Sequence, residues 1–588
     1  MRVLRDLRVD PFAVALVAAV GFAMLRAVLD GRAMADNFAT MDNDDILRLV
    51  MVRDLIAGQG WFDLTQYRLL PPAGVVMHWS RYIDAGIAAM IVPLSGLVGM
   101  DRAEQLAVTL WPTLIFGLSL LVIGYGTRRV FGSWPACFAL AITVIWPTTG
   151  HLHAGAGNID HHNVQMLMMT IVAFALIWPV GPVIAGVIGG IAAAFSLAVG
   201  LETLPFIIVA GAMALGRHLL DISAASRGFL LAFCLALAVA AVLFWLGQTA
   251  PALRAIGHCD RLSLPALALI AVAVTASLLA AAVTRFGALA GLAAAVLVTV
   301  AGCVLIWPHL GPCLDGPYGD LPAELQVFIA TRISEALPLH RFIRDSPAGF
   351  VVFTLPVIVA VAAGGIMLWR GAGPRMALTM LWVFCLLGLA MTAYQMRSIV
   401  MAGAVVPMLG GVVIARALEA YLRTRAPKAA VIWLVLATTL IAPMLIGQQV
   451  KALLPDDDAP AAAARAACRD PEALAGLNAL PPAVFLAPMN LGPALLWATH
   501  HDVVSAGYHV DPVLLMNAVG PYHLPQDDIA AFLRQSGASL ILVCRGAVYD
   551  NVFARSLAAG AQVDWLRPVP MPVPVAAQAL LVFEILPQ

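Results

Sequence analysis

Apolar residues in this chain run in long unbroken blocks rather than at every second or every third to fourth position. Thirteen blocks, at 11–29, 105–126, 133–147, 164–179, 182–200, 204–216, 228–247, 264–284, 289–307, 350–369, 376–392, 399–415 and 430–446, read as transmembrane helices. A further run, 85–100, is shorter than the ~20 residues a crossing helix needs and is expected to lie half-buried in the interface. Basic residues support that count. Arg2, Arg5 and Arg8 precede the first block and place the N-terminus in the cytoplasm. With thirteen crossings, Arg128-Arg129, Arg217 and Arg227, Arg370 and Arg375, and Arg423, Arg425 and Lys428 then all fall on the cytoplasmic side. Ala33-Met34-Ala35 resembles a signal-peptidase site, but the length of the first block and the number that follow favour an uncleaved anchor.

The pattern changes near residue 451. Short strands are expected at 484–487, 502–506, 539–543 and 580–585, with Pro525-Gln526-Asp527 opening a helix that runs through Gln535. The expected organisation is a transmembrane domain over 1–450 and a small α/β domain over 451–588. The loops 30–104, 148–163 and 308–348, together with that α/β domain, face away from the cytoplasm.

Composition agrees with the pattern. Of 588 residues, 61% are hydrophobic and 12% charged, too apolar for a water-soluble fold. The 34 basic and 34 acidic residues cancel, so there is no general positive field for nucleic acid. Eight cysteines without a CxxC pair exclude a disulfide scaffold and a zinc ribbon. Cys468 and Cys544 share the outward α/β domain, where a disulfide and two buried thiols are equally open readings. Cys259 and Cys313 are both outward, with their pairing open.

Polar chemistry is concentrated in the outward loops. Met41-Asp42-Asn43-Asp44-Asp45 puts three carboxylates into four residues, which repel one another unless a cation or basic group sits among them. Alone, the stretch reads more simply as a solvated helix start with aspartates at its positive end. Further along come Arg48, Arg53 and Asp54, then His78-Trp79-Ser80-Arg81, an aromatic and polar mix suited to the headgroup zone. In the second loop His151, His153, Asp160, His161 and His162 stand directly before a span, and Asp160 and His162 can both turn toward one ion. Ionisable residues at a span boundary are costly and point to function. Carboxylates favour magnesium or manganese, and imidazole tilts the choice toward manganese or zinc. The third loop carries Ile333-Ser334-Glu335, and Arg397 closes the outer end of a span, where it either snorkels or clamps a lipid-borne phosphate. A secondary transporter would keep its ionisable residues near the midplane of broken helices, often in repeated halves. Here they crowd one boundary and no halves repeat.

These residues resemble the catalytic subunit of bacterial and archaeal oligosaccharyltransferase, within the GT-C glycosyltransferases. Asn43-Asp44 and Arg53-Asp54-Leu55-Ile56-Ala57-Gly58 resemble the first acidic motif and the helix after it. Gly157-Asn158-Ile159-Asp160-His161-His162 is similar to the second motif, Ile333-Ser334-Glu335 looks like the glutamate motif of the fifth outer loop, and Arg397 stands where the family keeps an arginine. The resemblance implies a GT-C fold of about thirteen spans in the bacterial inner membrane, with active site and C-terminal domain periplasmic. It also implies a divalent metal, magnesium or manganese, held by Asp44, Asp160 and His162. Asp44, Asp160 and Glu335 would be catalytic and Arg397 would bind the donor phosphate, with Asp42, Asp45, His161, His78 and Arg81 as reserve candidates.

The donor so implied is a sugar or glycan on a polyprenyl phosphate or diphosphate. A monosaccharide transferase using a polyprenyl monophosphate, of the lipid A, arabinan or protein-O-mannosyl type, is the alternative. Where the family carries Trp-Trp-Asp-Tyr-Gly to read an asparagine sequon, this chain has Pro488-Met489-Asn490-Leu491-Gly492. The expected acceptor is therefore a surface polysaccharide, a lipid-linked glycan, or a protein read differently.

Overall fold

The computed structural model describes residues 10–35, 38, 41–150, 152–371, 373–454, 459–571 and 579–587. Arg2, Arg5, Arg8 and His151 lie outside these residues. Each of the thirteen apolar blocks carries a helix. Among the described residues nine helices are long and apolar enough to cross a membrane, or eleven if each of two bent pairs is one span. Three more apolar helices, Ser133–Ile145, His162–Ile177 and Arg375–Met391, are shorter. The bent pairs, Met396–Gly403 with Val406–Thr424 (62°) and Pro427–Ile441 with Pro443–Ala452 (82°), break where Pro407 and Pro443 enter the second helix. A proline there cannot donate the hydrogen bond that would continue the first.

Arg81–Val98 is one continuous helix of 18 residues, longer than the apolar run 85–100 suggested and counted among the nine by length and composition. The apolar run is extended backward by Arg81 and Asp84, which pair with each other at 3.2 Å and are fully buried. Charge neutralised by a partner no longer ends an apolar segment.

Small residues set the helix packing. A Cβ added at Gly186 or Gly190 of Pro182–Val199 would stand 2.5 or 2.4 Å from the carbonyl oxygens of Phe229 and Phe233 on Ala224–Gln248. The two helices touch backbone to backbone, as small residues allow in lipid.

Toward the C-terminus a five-stranded sheet has the order Asp502–Val503, Val484–Leu486, Leu540–Cys544, Leu580–Ile585, Leu566–Pro568. The first three strands are parallel and the last two join antiparallel. All five residues of Leu540–Cys544 are buried, as expected of a central strand covered on both faces. Leu566–Pro568, a three-residue edge strand ending in proline, is too short to stand out in sequence. The helix Ile529–Gln535 is capped by Asp528, whose carboxylate accepts from the Ala531 amide at 2.9 Å, rather than by the preceding Pro525-Gln526-Asp527. Both open cysteine questions are resolved: Cys468 bonds Cys544 and Cys259 bonds Cys313.

The sheet is locked to the first polar loop. The Val503 amide donates to the Arg68 carbonyl (2.9 Å) and the Leu70 amide to the Val503 carbonyl (3.0 Å), so the loop adds to the sheet edge. The Arg68 guanidinium donates to the carbonyls of Leu496, Thr499 and His501 at 2.7, 2.6 and 2.5 Å.

Candidate active site

The helix Asn43–Ile56 organises the site. Asp42 caps it, accepting the Asp44 amide at 3.2 Å, and places Asp44 and Asp45 in the first turn where the helix end is positive. Eight consecutive residues, Asp45 to Val52, are buried, which no amphipathic surface helix would show. Within that stretch Arg48 has no exposed surface and bridges two carboxylates, Asp84 at 2.9 Å and Asp160 at 3.1 Å. Trp79 covers the guanidinium at 4.7 Å.

Asp45 is committed to structure. Its Oδ1 accepts the amides of both Ile159 and Asp160 at 2.7 Å, docking the second loop onto the first. Gly157, at φ +91°, makes the turn before them, and a Cβ there would meet the side chain of Met34 at 2.9 Å.

Asp42, Asp44, His153, Asp160, His162 and Glu335 line one cavity of about 90 Å³. Three loops far apart in sequence thus meet at one point. Arg397 reaches Glu335 Oε2 with Nε and Nη2, both at 3.0 Å, and the Arg397 amide donates to the Glu335 carbonyl at 2.8 Å.

The histidines divide between two sides. His162 Nε2 lies 3.5 Å from Asp160 Oδ2 on the cavity side. His161 faces away from the cavity, with Nδ1 2.6 Å from Asp160 Oδ1 and Nε2 3.2 Å from Glu202 Oε1. Glu202 is steadied by Gln165 Nε2 at 2.9 Å. Glu202 and Gln165 escaped the sequence reading. The available signal was a lone carboxylate at the break between the apolar runs 182–200 and 204–216. Two reserve candidates lie elsewhere: Arg81 serves Asp84, and His78 joins Asp260 and His509 in a separate cluster.

Charge is unevenly matched here. Burial alone would raise the Asp160 carboxyl, but His161, His162 and Arg48 hold it well below the ordinary value. His161, despite burial, is raised to about 10 by Asp160 and Glu202 and carries a proton at neutral pH. Among the described residues Asp44 makes no ion pair, and Arg397 offsets its surroundings only weakly. Burial first, then Asp160, Asp42 and Glu335, push its carboxyl up to about 8. A half-buried carboxylate facing like charges across a small cavity suits a cation, but the ligand atoms that lie within 4.8 Å of one another among the described residues are those of Asp160, His161 and His162, without Asp44.

No family profile matches the chain, and no curated protein is similar to it in sequence. Solved structures do match. The archaeal oligosaccharyltransferase AglB from Archaeoglobus fulgidus, in complex with an inhibitory peptide and a dolichol-phosphate, superposes with a TM-score of 0.65 at 12% identity, covering 91% of this chain and 69% of that one. The same Archaeoglobus fulgidus enzyme tethered to an acceptor peptide containing the NVT sequon gives 0.63 at 13% identity, with coverages of 91% and 69%. Its complex with Zn and sulfate gives 0.54 at 13% identity, covering 90% and 68%. The chain therefore shares the fold of these oligosaccharyltransferase structures, an array of apolar helices long enough to cross a membrane with a small sheet region toward its C-terminus.

Proposed function

We propose that this protein is a metal-dependent membrane glycosyltransferase that moves a sugar or glycan from a polyprenyl-phosphate or polyprenyl-diphosphate donor to an acceptor outside the cytoplasm. The observation that carries this reading is the meeting of Asp44, Asp160, His162 and Glu335 around one cavity, with Arg397 on its Glu335 side. The structural neighbours that hold dolichol-phosphate, and zinc with sulfate, support it.

Asp44, Asp160 and His162 would hold a divalent cation, which neutralises the charge of a departing lipid phosphate. Arg397 presents a planar donor fork for that phosphate. Glu335, whose side chain is 54% exposed, can exchange its hold on Arg397 for the incoming acceptor. Either it or Asp44 orients or deprotonates the acceptor hydroxyl or amide. Arg48, between Asp84 and Asp160, keeps the Asp160 carboxylate in place.

The acceptor differs from an asparagine sequon in this reading. In place of two indoles and a carboxylate the chain has Pro488-Met489-Asn490-Leu491-Gly492, and Asn490 is spent on Asn43, whose Nδ2 donates to it at 3.0 Å. A polysaccharide, lipid-linked glycan or differently recognised protein is the acceptor class.

Membranes containing the protein and a polyprenyl-linked donor test the proposal. Asp160→Ala and Glu335→Ala should abolish transfer with expression intact, and full activity in both overturns the assignment. Activity insensitive to EDTA would favour the monosaccharide transferase with a polyprenyl-monophosphate donor. Mass spectrometry of surface glycans and glycoproteins from cells lacking the protein would identify the acceptor by the undecorated species.

A further inference from the structure

A second group of metal-ligating side chains lies apart from the carboxylate cavity. His78 comes from the first polar loop, Asp260 from the loop beside the Cys259–Cys313 disulfide, and His509 from the C-terminal region. Each offers one ligand atom, and the three atoms lie within 4.8 Å of one another. None of the three residues lines the carboxylate cavity.

Two features point to a missing partner. His78 Nδ1 and His509 Nε2 are both buried with no hydrogen-bond partner among the described residues, and an unpaired buried nitrogen is unfavourable. Two orphaned imidazole nitrogens in one cluster are therefore hard to explain as packing. The carboxylate is also oriented: Arg261 Nε lies 3.3 Å from Asp260 Oδ1, leaving Oδ2 to face His509 Nε2 at 3.7 Å. For bonds of ~2.1 Å around a tetrahedral zinc, ligand atoms stand roughly 3.4 Å apart. That edge is within a few tenths of closing.

We propose that His78, Asp260 and His509 bind a divalent transition-metal ion of the zinc class, with water in the fourth position. Two imidazoles and one carboxylate suit zinc rather than magnesium or calcium, which prefer all-oxygen shells. The ion joins three segments, distant in sequence, that neither disulfide links to one another. Its effect reaches the carboxylate cavity through the neighbouring residues. Trp79, next to His78, stacks edge-on against Tyr508, next to His509, at 5.4 Å. Trp79 covers Arg48, and the Tyr508 hydroxyl donates to the Asn43 carbonyl at 3.1 Å. The ion is a clamp that holds the C-terminal sheet region over the helix Asn43–Ile56, and it is independent of the catalytic reading.

Zinc content of the full chain in detergent tests this. After chelation and dialysis against zinc alone, Asp160→Asn, which disables the carboxylate site, should retain one equivalent. Adding His78→Gln or His509→Gln to that background should remove it, together with the rise in thermal midpoint that zinc produces. Unchanged zinc content in both histidine variants overturns the proposal and leaves the glycosyltransferase reading untouched. Should neither variant fold, zinc-edge X-ray absorption of the Asp160→Asn chain decides. Two imidazoles per zinc are expected, and fewer than two overturn the assignment.

Discussion

Glu335 and Arg397, on different loops, are joined through both side chain and backbone. The guanidinium donates to Glu335 Oε2 at 3.0 Å and the Arg397 amide to the Glu335 carbonyl at 2.8 Å. Each residue therefore fixes where the other can be, and the pair should act as a unit in catalysis. Glu335→Gln and Arg397→Ala should each lower kcat/KM by about 10²–10³. The double variant should cost little more than the worse single one. A double-mutant cycle on transfer rates checks this, and multiplicative losses would show that the two act separately.

Arg48 is a different case, because its burden is structural. It has no exposed surface and satisfies both Asp84 and Asp160. Truncating it to alanine leaves two buried carboxylates without their shared cation, a loss on the order of 3–5 kcal/mol. Arg48→Ala should lower the yield of folded protein and the thermal midpoint. Arg48→Lys should rescue only in part, since an ammonium lacks the planar fork that reaches both partners. Size-exclusion profiles and melting curves in detergent measure both.

Much of this site could be read from the sequence because its acids stand out against an apolar background. Asp44, Asp160, His162 and Glu335 are polar residues in loops between apolar blocks, and ordering the blocks sufficed to bring them to one side. The partners were harder to read. Arg48 and Asp84 are 36 positions apart and Asn43 and Asn490 are 447 apart. Nothing local marks such a pair. His78 looks like a headgroup-zone residue, and nothing local marks His509, until the fold brings their rings within 4.8 Å. The buried start of the helix Arg81–Val98 was equally hidden, because Asp84 is shared between two cations, Arg81 on the same helix and Arg48 from another segment.

The Cys468–Cys544 disulfide closes a separation of 76 residues between the start of the C-terminal region and the central strand of its sheet. Both cysteines are buried. Replacing both by serine removes a constraint on the unfolded chain worth about 2–5 kcal/mol in domains of this kind. The double variant should melt earlier, while transfer measured well below its midpoint stays near that of the parent. Loss of transfer in a sample that is still folded would instead assign the bond to the site.

Asp44 gives the protein a pH signature with a definite sign. Its carboxyl is pushed by burial and neighbouring carboxylates from 3.8 up to about 8. Between those values the folded chain holds a proton that the unfolded chain has released. Stability from this group therefore falls as pH rises through that window. His153 works the other way below neutrality, because burial lowers it to about 3, so a raw stability curve mixes the two. The comparison with Asp44→Asn separates them. Without divalent cations, the variant should gain on the parent by up to about 1.4 kcal/mol per pH unit between pH 5 and 7. Adding magnesium or manganese should stabilise the parent more at pH 8 than at pH 6, because binding must displace that proton, and should leave the variant nearly unchanged. Thermal midpoints across this pH range, with and without cation, measure both effects. Parallel curves for parent and variant would remove Asp44 from the cation site.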